Sequence, residues 1–142
     1  MGGGSGGSYT PINIDAITAA ANERIQNAFK EERSILFVCN SDDRDELLGR
    51  IQKSDALKKR PFDISTEGDA ELEKKVGGSS LVILFSNKSD EHSHVNKAIV
   101  AAAAQKKQSI YVKGDSVETI PQYVAQFRVR TVSWSALLEI LA

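Results

Sequence analysis

Hydrophobic positions along this chain alternate between two textures. Short continuous apolar runs occur at Ile35-Leu36-Phe37-Val38-Cys39, Leu81-Val82-Ile83-Leu84-Phe85 and Ile110-Tyr111-Val112, each bounded by polar residues. Runs of this length predict strands covered on both faces, because a strand with one wet face alternates instead. Pro61-Phe62-Asp63-Ile64 and Val129 to Val132 are weaker versions and predict two further strands. Between these runs the apolar residues recur at helical spacing. Ile14, Ile17, Ala21, Ile25, Ala28 and Phe29 mark one face of a helix over Asp15 to Glu32. Leu47, Leu48 and Ile51 continue a second helix, for which Asn40, Ser41, Asp42 and Asp43 supply cap residues. Asp69 predicts the cap of a short helix carrying Leu72 and Val76, stopped at Gly77-Gly78. Val95 to Lys107, with its consecutive alanines, predicts a long helix lying close on a sheet. Pro121 restricts any helix in Val117 to Phe127, and Trp134 to Leu141 predicts a closing one.

Strand and helix therefore alternate. The expected fold is a single three-layer α/β domain, flavodoxin-like, with a roughly five-stranded parallel sheet, flanking helices and an extra N-terminal helix. Parallel neighbours need crossovers of this length, and right-handed connections place helices on both faces. Ligands in such sheets sit at the carboxyl ends of the strands, near the switch in strand order. That rule points to Asn40 to Asp43, Ser65 to Gly68, Ser86 to His94 and Gly114-Asp115.

Composition narrows the partners. The 142 residues suit one core, and 18 Lys+Arg against 19 Asp+Glu leave a net charge of -1. That balance provides no whole-chain attraction for nucleic acid or an acidic membrane, and Lys58-Lys59-Arg60 reads as a solvated loop. Cys39 is the only cysteine, which excludes an intrachain disulfide and implies a reducing, cytoplasmic setting. No apolar run is long enough to span a bilayer. Residues 1–8 are almost entirely Gly and Ser and read as an added flexible linker. Residues 9–33 then form the N-terminal helical segment, as a tether or a partner surface, and 34–142 the domain proper.

Most familiar chemistries fit poorly. Cys39 and Arg44 are too close for a thiolate phosphatase loop, and Asp42 and Asp43 would repel its phosphate. A phosphate-accepting receiver domain needs an Asp where the third strand ends, and Ser86 stands there. No Gly-rich dinucleotide fingerprint follows the first strand, and no Walker loop is present. His92 and His94 could pair on a metal but lack a third ligand at fixed spacing. Asp15-Ala16-Ile17 with Ala20 to Glu23 matches part of a macrodomain phrase without its preceding strand or glycine loop.

The segment Ser86-Asn87-Lys88-Ser89-Asp90-Glu91-His92-Ser93-His94-Val95-Asn96-Lys97-Ala98-Ile99 resembles Toll/interleukin-1 receptor (TIR) domains, especially bacterial-type members. That family has a serine-containing polar loop after its third strand, then a helix with an aromatic residue and a glutamate four positions later. Ser41-Asp42-Asp43 after the first strand, Asp63-Ile64-Ser65 before the second-strand loop and Ser133-Trp134 at the last helix agree in order. The resemblance covers about Ser34 to Ala142. It implies a signalling or antiviral defence domain that cleaves NAD+, as substrate, at the nicotinamide–ribose bond, with no separate cofactor. It places Asn40, Ser41, Asp42, Ser86, Ser89 and His94 around the ligand. The departure is at the decisive place: His94 stands where the family often has Trp, and Ala98 where the enzymes have the catalytic Glu. A methyl group cannot stabilise an oxocarbenium-like transition state, so the chain as written is expected to be inactive. Ala98 is either an engineered Glu-to-Ala change or the residue of a natural non-catalytic member. Two alternatives accompany the NAD+ reading. One is an adaptor that works by self-association or by binding another signalling domain. The other is a different Rossmann-like binding domain, of a bacterial family with a Ser-His pair like Ser93-His94 before its helix.

Overall fold

The computed structural model describes residues 14–31 and 33–142, so the expected linker and the first residues of the N-terminal segment lie outside the described residues. The chain runs α1 (Ile14–Lys30), β1 (Ser34–Val38), α2 (Ser41–Gln52), α3 (Asp55–Lys58), β2 (Phe62–Ser65), α4 (Leu72–Gly77) and β3 (Ser79–Ser86). It continues through α5 (Ser93–Ala104), β4 (Gln108–Lys113), α6 (Gln122–Gln126), β5 (Arg130–Val132) and α7 (Trp134–Leu141). The strands form one parallel sheet in the order β2-β1-β3-β4-β5. This is the flavodoxin-like order, and its switch lies between β1 and β3.

The uninterrupted apolar runs follow from the two-residue period of a strand with helices on both sides. Ile35, Phe37, Ile83 and Ile110 point to one face, where they meet Leu47 and Ile51 of α2 and Leu137 of α7. Leu36, Val38, Val82 and Leu84 point to the other, where they meet Val76 of α4 and Val95 and Ile99 of α5. All eight residues of the central strand β3 are buried. The strand starts at Ser79, earlier than its apolar run indicates, because Ser79 pairs with Ser34 of β1; its hydroxyl also donates to the Val76 carbonyl at 2.8 Å.

Helix α1 belongs to the first of these layers, with Ile25 and Ala28 buried in the core. Arg60 holds its end: the guanidinium donates to the Phe29 and Glu31 carbonyls and, at 3.0 Å, to that of Arg33, and stacks 4.6 Å from the Phe29 ring centre. A cation at a helix C-terminus satisfies orphan carbonyls and the dipole together. The helix is thus part of the sheet's cover.

Helix ends also depart from expectation. α5 stops at Ala104 rather than Lys107 because Lys106 takes a left-handed turn (φ 57°) and Lys107 donates back to the Ala102 carbonyl at 2.8 Å. The short α3 was not expected; the Ser54 hydroxyl caps it, accepting from the Leu57 amide at 3.3 Å. Among the described residues, no helix is long and apolar enough to cross a membrane.

Candidate functional site

At the carboxyl edge of the sheet, Asn40 and Asp43 from the start of α2 face the loop after β3. Asp43 is fully buried on the same stripe as Leu47 and Ile51. Its carboxylate accepts from the backbone amides of Asn87 at 3.1 Å, Lys88 at 2.8 Å and, more weakly, Ser89 at 3.5 Å. Successive amides of this kind form an anion-binding nest. Here the anion is the protein's own carboxylate. Asn40 occupies the cap position of α2 without making a side-chain cap. It spans the switch instead, its Nδ2 donating to Ser89 Oγ at 2.7 Å and to the Glu91 carbonyl at 2.6 Å. Asn40 therefore stands at the expected cap position, but its side chain and that of Asp43 bond the loop after β3 instead of their own helix.

The helix start is capped from a distance. Glu67, on the loop after β2, accepts from the Ser41 amide at 2.7 Å and the Ser41 hydroxyl at 3.1 Å. A helix N-terminus at a switch point is where doubly wound folds receive phosphate. In this chain Glu67 fills that position. The pattern repeats along the edge. Glu91 accepts from the Ser93 amide at 2.8 Å, at the start of α5. Asp90 accepts from the amides of Glu118 at 3.0 Å and Thr119 at 2.8 Å. Asp69 does not cap α4 as expected, but accepts from the Glu71 amide at 2.9 Å just before that helix.

A second network lies beneath. Ser65, at the end of β2 and fully buried, donates to Asp69 Oδ2 at 2.7 Å, and the same carboxylate pairs with Lys75 at 2.8 Å. The Lys75 ammonium, then Ser65, hold the Asp69 carboxyl at about 2, below the ordinary carboxylate range. His94 Nε2 lies 2.9 Å from Ser65 Oγ. The serine's single proton goes to the carboxylate, so Nε2 carries the imidazole proton and donates to Oγ. Burial lowers the His94 pKa from its ordinary 6.5. This serine is no nucleophile: it is sealed from solvent, and its histidine is a donor rather than a base.

The structure brings Asn40, Ser86, Ser89 and His94 to one edge, as expected, and joins Ser41 to it through Glu67. Ser86 takes part through its carbonyl, which accepts from the Gly114 amide at 2.7 Å. Asp42 is exposed. Ala98 is apart: it is fully buried in the apolar layer with Leu36, Val38, Val82 and Leu84. His92 and His94 serve different partners, since His92 Nε2 lies 2.9 Å from Thr119 Oγ1. No group of three metal-ligating side chains occurs among the described residues. Cys39 is buried, and desolvation, then Asp43 and Glu67, push its thiol up to about 12, which leaves it unreactive.

Asp43, Glu67 and Asp69 organise the edge; Asp43 and Glu67 fall within the strand-end segments expected to form it and Asp69 just beyond them, but none of the three was assigned a role there. For Asp43 a signal existed: a carboxylate at i, followed by Leu at i+4 and Ile at i+8, sits on the core stripe of its helix. For Glu67 and Asp69 none existed, because their partners come from other elements. No protein-family model matches this chain, and no curated protein matches it.

Proposed function

We propose that this chain is a non-catalytic assembly domain, built on a flavodoxin-like sheet and acting through its outer helices. The observation that carries the reading is the state of the carboxyl edge. Its outward-facing amides, at the start of α2, in the nest after β3, at the start of α5 and in the 118–119 turn, are held by Glu67, Asp43, Glu91 and Asp90. A nucleotide phosphate would meet carboxylates there, and each amide it captured would first have to lose a charge-assisted bond of about 1.5–3 kcal/mol.

Position 98 supports the same reading. NAD+ cleavage of the TIR kind needs a carboxylate beside a ligand-sized hollow. Ala98 is packed in the core and does not line the groove that Lys97, Val100 and Ala101 of the same helix help to form. Meanwhile Val100, Ile120 and Phe127 are large hydrophobic residues left exposed on or beside α5 and α6. Exposed apolar groups favour association, and a net charge of -1 opposes it little.

Sedimentation velocity on the full chain over a hundredfold range of concentration (about 5 to 500 μM, within which transient domain contacts form) tests the proposal. A sedimentation coefficient that rises with concentration is expected. A strict monomer throughout, or nicotinamide release from NAD+ by the chain as written, would overturn it.

A further inference from the structure

Resting on that assembly reading, we infer that the groove between α4, α5 and α6 is a self-association face that seats the same groove of a second copy about a two-fold axis. The groove has a volume of about 1010 Å³, and Leu72, Val100, Ala101, Ala104 and Tyr123 supply its apolar lining. Tyr123 is supported from behind by Phe127, with ring centres 5.6 Å apart and planes at 77°.

The charges on the groove identify the occupant. Glu73 of α4 and Lys97 of α5 both line it, and both are exposed. Among the described residues neither takes part in an ion pair within the chain, whereas neighbouring Lys74 pairs with Glu71 at 3.7 Å and Lys75 with Asp69 at 2.8 Å. The groove therefore presents one unspent acid and one unspent base on adjacent helices. A partner of uniform charge would satisfy one and repel the other. A two-fold interface puts the same patch on both sides, so a patch must carry its own complement. Rotation about an axis through the groove sets Glu73 of each copy toward Lys97 of the other, giving two equivalent pairs over a shared apolar floor. The groove reaches the carboxyl edge at Asp69 and Ser93, while Asp43 and His94 do not line it.

A charge swap on the full chain tests the face. Lys97→Glu and Glu73→Lys each place like charges opposite one another twice per dimer, and the double variant restores attraction with the signs exchanged. Both residues are exposed, so the fold survives, and far-UV circular dichroism verifies this. Each single variant is expected to weaken dimerisation, read by sedimentation equilibrium, by about tenfold or more. The double variant should return to within about threefold of the parent. Association that persists unchanged in both single variants, or that the double variant fails to rescue, overturns this face while leaving the assembly reading standing. A parent chain that stays monomeric leaves the groove to a partner of another kind and overturns both.

Discussion

Asp43 and Lys88 meet across the switch between β1 and β3, a buried carboxylate accepting a backbone amide at 2.8 Å from a loop 45 residues further along the chain. The contact makes the first turn of α2 and the loop after β3 into one unit. It also explains why a charge can sit on the core stripe of a helix: three amides solvate it in place of water.

Asp43→Ala removes the acceptor and leaves those part-buried amides without their partner, at an expected cost of about 2 kcal/mol. Asp43→Asn keeps one good acceptor and should cost less. Urea unfolding of both variants measures the difference. Equal stability of Asp43→Ala and the parent would show that the loop is held by other contacts.

His94 ties stability to pH. Its folded pKa lies below the ordinary 6.5 because the ring is buried, so the unfolded chain binds the proton more tightly. The sign follows: stability from this group is complete above pH 6.5 and declines as the pH falls through 6.5 toward the lower folded value. Asp69 acts in a separate, more acidic window, since its carboxyl is held at about 2 against an ordinary 3.8 and its contribution is lost as the pH falls between them. His94→Gln should flatten the slope just below pH 6.5 and leave the more acidic one. Nitrogen NMR of the parent should find the imidazole proton on Nε2 at neutral pH; a proton on Nδ1 would contradict the donor role toward Ser65.

Gly114 is required by a close approach. A Cβ there would stand 2.5 Å from Asn87 Oδ1 and 2.8 Å from Asn87 Cα, the second a backbone atom that cannot swing aside. Gly114→Ala should therefore cost about 2 kcal/mol by forcing the ends of β3 and β4 apart. The amides of residues 86–89 should then lose hydrogen-exchange protection before those of the strands. Unchanged protection would mean that the two loops can separate freely.

Ala98→Glu tests the TIR resemblance at its decisive position. A carboxylate placed among Leu36, Val38, Val82 and Leu84 has no partner there, and the expected loss is about 4 kcal/mol. Thermal unfolding measures it, and a nicotinamide-release assay on the same protein should detect nothing. A stable, active Ala98→Glu variant would restore the enzyme reading and displace the one proposed above.

Two kinds of information separate in this molecule. Continuous apolar runs such as Leu81 to Phe85, set between stretches of helical spacing, were enough to establish by themselves a parallel sheet covered on both faces, because burial dictates period and period is local. The same local logic stopped α4 at Gly77 and opened α7 at Trp134. The carboxyl edge was legible only as a location. Asn40, Ser89 and His94 could be assigned to it from strand ends, but their roles could not, since a hydrogen bond between residues 49 or 29 apart leaves no trace in spacing. Ser41 carried cap chemistry in its own right, yet the group that meets it is Glu67, 26 residues away. Ala98 followed the helical period of α5 whether it faced a cleft or a core; only the packing of α5 on β1 and β3 turned it inward. Local pattern determines which elements form, whereas the pairing of charges and amides across the sheet edge depends on distances that exist only after the chain has folded.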